Sequence, residues 1–142
     1  MTTTSTNLTT KNTRWNIGLW VAQAALAAMF LMAGFMKLTS SPADMAAMGM
    51  LWAQNAPVAL IRFIGTAEVA GALGLILPAA TRIMPELTRL AAAGLAVIMV
   101  LAAGLHITRG EFEVVPMNII LFALAVLVIW GRAKKAPIAP RG

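Results

Sequence analysis

Glu68 is the residue around which any chemistry in this chain must be arranged. It lies about ten residues into an apolar run that extends from Val58 to Leu77. At 1.5 Å per residue that puts it roughly 15 Å from the start of the run. A carboxylate at such depth needs a cation, a water path or a proton to exchange. Three cations flank apolar runs on the same side: Lys37 ends the first, Arg62 opens the second and His106 closes the third. Arg62 and Glu68 are six residues apart, about 120° around one helix, so a local pair between them is poorly placed. A cross-helix partner for Glu68, from Lys37 or His106, is expected instead. Gly65, Gly71 and Ala72 fall within about 60° of Glu68 on a helical wheel, and such a face of small residues packs closely against another helix. His106 shares a stripe with Ala92, Ala96, Met99 and Ala103, and Asn118 enters the same layer from a fourth run.

Two readings of this cluster stay open. In one, Lys37, Glu68 and His106 line a small polar pocket, with Arg62 and Asn118 at its edge, that would take a quinone head group, a proton or a small anion. In the other, a Glu–Lys or Glu–His bond pins helices together, while Lys37 and Arg62 carry their charges to the head groups. Other chemistries are excluded within one chain. There is no Cys, which removes disulfides, CxxC redox pairs and Cys-ligated metal. A single His removes bis-histidine haem and two-His metal sites, so no metal ligands are assigned and no covalent cofactor is expected. The ten Met residues are scattered and read as filler of apolar interior.

The elements that must position these residues follow from composition. The chain has 142 residues, 60% hydrophobic and 11% charged, with a mean hydropathy of +0.82. A soluble domain carries about 25% charged residues, and a small one has too little interior to hide so much apolar surface. A spanning helix needs about 20 apolar residues to cross about 30 Å of hydrocarbon. Four runs meet or approach this, at about residues 17–36, 58–77, 86–107 and 115–131. The expected fold is all-α, an integral membrane four-helix bundle. Pro78 is expected to stop the second span and Pro85 to precede the third. Between the first two spans, Ser41-Pro42-Ala43-Asp44 reads as a helix start with Ser41 as N-cap. A short interfacial helix is expected there, with Met45, Met48 and Trp52 on one stripe, either as a lid or simply resting on lipid.

Residues 15–132 would form the membrane domain, with a disordered polar tail at 1–14 and a basic tail at 133–142. With four spans both ends share one side, which holds Lys11, Arg14, Arg82, Arg89, Arg132, Lys134, Lys135 and Arg141; only Lys37, Arg62 and Arg109 lie opposite. The bias predicts cytoplasmic N- and C-termini. It also accounts for the formal charge of +6 through topology and anionic lipid, without a nucleic-acid partner. The first apolar run exceeds the 7–15 residues of a signal-peptide core, so a retained signal-anchor helix is expected.

The motifs resemble a known family. LMAGFMKL (31–38) and RFIGTAEVAGALGLILPAATRIMPELTRLAAAGLAVIMVLAAGLHITRGE (62–111) are similar to the DoxX-like family of small four-helix membrane proteins. The matching positions are Gly34 and Lys37; Arg62, Gly65, Glu68, Gly71, Gly74 and Pro78; His106; then Asn118 and Arg132, over about residues 26–132. The resemblance implies a four-helix bundle in the bacterial inner membrane. It also implies a role beside membrane redox chemistry, since a named member is similar to a subunit of a thiosulfate:quinone oxidoreductase. On that basis the expected function is an accessory subunit of a quinone-linked complex, with a redox partner protein and no catalysis alone. A small proton-coupled transporter using Glu68, or a non-catalytic anchor, are the alternatives. The small faces near Gly71 and Gly74 would permit a homodimer.

Overall fold

A computed structural model describes the backbone of residues 3–142 and the side chains from Asn12 onward. Four long helices carry the chain back and forth: α1 (Thr3–Thr39), α3 (Val58–Thr81), α4 (Glu86–Thr108) and α5 (Val115–Lys134). A short α2 (Pro42–Ala47) and a 3₁₀ turn (Leu51–Asn55) lie between α1 and α3. No strand occurs among the described residues. Each long helix includes a stretch apolar enough to cross a membrane, which in α1 begins at Asn12. The helices form a closed ring in which α1 packs on α3, α3 on α4, α4 on α5, and α5 back on α1. Inside lie Leu26, Phe30, Leu75, Leu95, Met99 and Val128, with Ala22, Ala72, Ala92 and Ala125 filling the narrow places. Outside, Phe35, Phe63, Leu90 and Leu101 are each more than 60% exposed. A soluble protein would bury such residues; here lipid is the solvent for that face.

Several boundaries differ from the sequence expectation, each for a physical reason. Residues 1 and 2 lie outside the described residues, but from Thr3 the expected disordered tail is helical and continuous with α1. Once the apolar span has formed a helix, each further residue adds a hydrogen bond without a new nucleation cost. Pro78 does not stop α3, which runs on to Thr81. Its ring removes one donor near the helix end, and the turn that closes α3 is made four residues later by Arg82 at φ 59°. α5 likewise continues past Gly131 to Lys134.

The connection between the first two spans starts as expected. The Ser41 hydroxyl accepts from the Asp44 N–H, and Pro42 occupies the first turn of α2. The expected stripe is not formed, because α2 ends at Ala47 and Gly49 turns the chain at φ 97°. Met45 is fully buried with Ala53 and Ile61, whereas Met48 is 55% exposed. The segment is therefore packed onto the start of α3 rather than laid along it as one amphipathic helix.

Candidate functional site

The site begins with two glycines. A Cβ on Gly34 would stand 2.8 Å from the Gly65 carbonyl oxygen, and a Cβ on Gly65 would stand 2.9 Å from the Gly34 oxygen. Only glycine at both positions lets the α1 and α3 backbones approach this closely. Three residues beyond each glycine, nearly one helical turn, stand Lys37 and Glu68. The same spacing on both helices brings their side chains together. Lys37 Nζ donates to Glu68 Oε2 at 2.8 Å and to Oε1 at 3.0 Å. Both residues are buried, Lys37 8% and Glu68 3% exposed. The pair is electrically closed, since both carboxylate oxygens are taken up by one ammonium in a place that water barely reaches.

Arg62 supports this clasp from the side. Its Nη1 donates to the Lys37 carbonyl, one of the last carbonyls of α1 and so without a partner in its own helix. Arg62 thus caps α1 from α3, and Lys37 is held at both its backbone and its side chain. His106 and Asn118 make no hydrogen bond to the pair. His106 Nδ1 lies 2.7 Å from Glu111 Oε2, and Arg109 Nε donates to the other oxygen of Glu111 at 2.7 Å. A carboxylate can only accept, so His106 donates from Nδ1. The hydrogen bond from His106, then that from Arg109, holds the Glu111 carboxyl below its ordinary range. Asn118 Nδ2 is buried without an acceptor.

The model of one family matches residues 21–128 of this chain. The chain belongs to the DoxX-like family. No curated protein and no solved structure matches it. In this DoxX-like chain the G-x-x-K and G-x-x-E segments are the two halves of the helix clasp just described. Gly71 and Gly74 serve α4 instead: a Cβ on Gly71 would meet Leu95 at 2.6 Å, and one on Gly74 would meet Ala91 at 2.7 Å. The face expected to permit a homodimer is thus already covered within the chain.

The hydrogen bonds divide the expected cluster between two acids: Lys37 spends two of its three N–H groups on Glu68, and His106 is turned to Glu111. A second polar layer, outside the expected cluster, lies at the opposite end of the DoxX-like bundle. Arg132 is 4% exposed; its Nε donates to Gln23 Oε1 and its Nη1 to Asn16 Oδ1, both at 2.7 Å. Gln23, fully buried, donates in turn to the Leu75 carbonyl at 2.6 Å. One signal for this layer was present in the sequence: Gln23 is a polar residue well inside the first apolar run.

Proposed function

We propose that this DoxX-like chain is a non-catalytic accessory subunit of a membrane redox complex, holding a catalytic partner at the bilayer. The observation that carries this reading is the saturation of Glu68. Both its oxygens accept from Lys37, so the deepest acid of the chain serves to join α1 to α3. A proton-coupled transporter would need that acid to be reached and released in turn, and a 3% exposed, fully paired carboxylate does not support such a cycle. The family resemblance supplies the redox association; the quinone belongs with the partner in this reading. The excess of Lys and Arg at the end bearing both termini supports an orientation in the inner membrane with that end in the cytoplasm.

The test is purification of the full chain from its native membrane in mild detergent, with mass spectrometry of co-purifying proteins and quinones. A stoichiometric oxidoreductase partner retained by both the wild type and Glu68→Gln is expected. Proton flux in liposomes that Glu68→Gln abolishes would refute the reading and establish the transporter.

A further inference from the structure

At the end of the bundle where both termini lie, a cavity of about 630 Å³ opens between the start of α1, the end of α3 and the C-terminal segment. Its wall includes Asn12, Asn16, Trp20, Arg82, Ala136 and Ile138. Most of that wall lies outside the family-matched residues 21–128. The C-terminal segment is tied across this end by the Arg141 N–H, which donates to the Arg82 carbonyl at 2.9 Å. The volume falls within the range of small-molecule sites, about 300–1,000 Å³.

Behind this wall stands a buried charge with no counterion among the described residues. Arg132 donates from Nε to Gln23 and from Nη1 to Asn16 and to the Ala136 carbonyl (3.1 Å), and its guanidinium lies 5.4 Å from the Trp20 ring centroid. Every one of those partners is neutral. Its Nη2 is buried with no acceptor among the described residues. Among the described residues no carboxylate pairs with Arg132: Glu68 holds Lys37, Glu86 holds Arg89, and Glu111 holds Arg109 and His106. An arginine stays charged even when buried, and an uncompensated buried charge is costly. With eleven Lys and Arg against five Asp and Glu, the chain is poorly supplied to neutralise it from within. Three of the groups that surround Arg132, namely Asn16, Trp20 and Ala136, also line the cavity. The missing negative charge therefore has a place one side-chain layer away, where a second arginine, Arg82, is on the wall.

We propose that this cavity binds a phosphate group, that of an anionic phospholipid head group. Arg82 contacts its oxygens, Asn12 and Asn16 supply amide donors, and Arg132 offsets the charge from behind through a low-dielectric wall. A bare phosphate would leave most of the volume empty. A glycerophosphate head group would occupy more of it and lie against the apolar part formed by Trp20, Ala136 and Ile138. The location at the basic end of the bundle also suits the leaflet where anionic head groups gather.

The test uses the full chain, delipidated in detergent, with thermal unfolding read against two probes at matched ionic strength. One is phosphatidylglycerol in mixed micelles, with phosphatidylcholine as its neutral control, and the other is inorganic phosphate. Saturable stabilisation by phosphatidylglycerol alone is expected. Arg82→Gln, on the exposed rim, is expected to weaken it about tenfold, the loss of one charge-assisted contact. Arg14→Gln is the control, an exposed cation at the same end that does not line this cavity; it should leave the response unchanged. Stabilisation by inorganic phosphate that Arg82→Gln weakens would keep the phosphate site and overturn the lipid as its source. No saturable response to either probe, or equal losses in the two variants, would overturn the site.

Discussion

The Lys37–Glu68 clasp lends itself to a double-mutant cycle with an asymmetric outcome. Lys37→Met leaves Glu68 buried at 3% exposure with no cation, about 15 Å into α3 at 1.5 Å per residue. Removing one partner of a buried pair costs about 3–5 kcal/mol, chiefly because the other charge stays behind. Glu68→Met leaves Lys37 instead, two residues from the end of α1 and with a four-carbon stem. That stem can carry the ammonium toward the head groups, so this variant should cost less, about 1–3 kcal/mol. The double variant places two flexible apolar side chains where the ions were. Replacement of a buried pair by apolar residues of similar volume is often neutral or stabilising, so it should unfold within about 1 kcal/mol of wild type. The assay is reversible unfolding in mixed micelles, titrated with a denaturing detergent and followed by tryptophan fluorescence. Single-variant costs that simply add in the double, or a Glu68→Met cost exceeding that of Lys37→Met, would refute the account of the pair as a desolvated, mutually dependent clasp.

The glycine crossing gives a second prediction. Gly34→Ala or Gly65→Ala must push α1 from α3, because the new Cβ meets a backbone oxygen within 2.9 Å; each should cost about 1–3 kcal/mol in the same unfolding assay, whereas Gly94→Ala and Gly104→Ala, with nothing within 4 Å, should be neutral or stabilising. The third concerns Glu111, whose folded carboxyl is held below its ordinary range by His106 and Arg109. The folded state thus favours the ionised form, so this contribution is present at neutral pH and is lost as pH falls below about 4; hydrogen exchange in the 109–114 connection should speed up on acidification, relative to the intrinsic rate, in the wild type and much less in Glu111→Gln.

The fold was legible because hydrocarbon imposes a length. Four apolar runs bounded by Arg, Lys and Pro mark where a helix can cross, and the structure has long helices over those runs. What the sequence reading misjudged were places where tertiary geometry overrides a local signal. Pro78 looks like a stop, but a proline near a helix end interrupts little and α3 continues to Thr81. Met45, Met48 and Trp52 look like one stripe, but the stripe presumes a continuous helix, and Gly49 at φ 97° breaks it. The partnership of Lys37 with Glu68 was readable as one of two options, since Lys37 and His106 both close apolar runs on the same side and Arg62 is badly placed on the helix of Glu68 itself. The partner of His106 was not. Glu111 comes back to it only through the turn at Gly110, φ 72°, five residues on and off the helix. The bond between Gln23 and Arg132 spans 109 residues, and no local spacing encodes it.

The two ends of the bundle resolve their charges in opposite ways, and that difference separates structure from function. At the end near Lys37 the acids and bases close on one another: Lys37 on Glu68, Arg109 and His106 on Glu111. The pair that carries the strongest motif joins α1 to α3. At the end holding both termini, Glu86 answers Arg89 alone. Arg132 is desolvated without an acid, and Lys135 rests 5.1 Å from the Trp130 ring centroid and 5.7 Å from that of Trp15 rather than on a carboxylate. The end that bears both termini therefore keeps an excess of positive charge. The acid that lies deepest in the sequence joins α1 to α3, and the buried cation without an acid partner among the described residues lies at the other end.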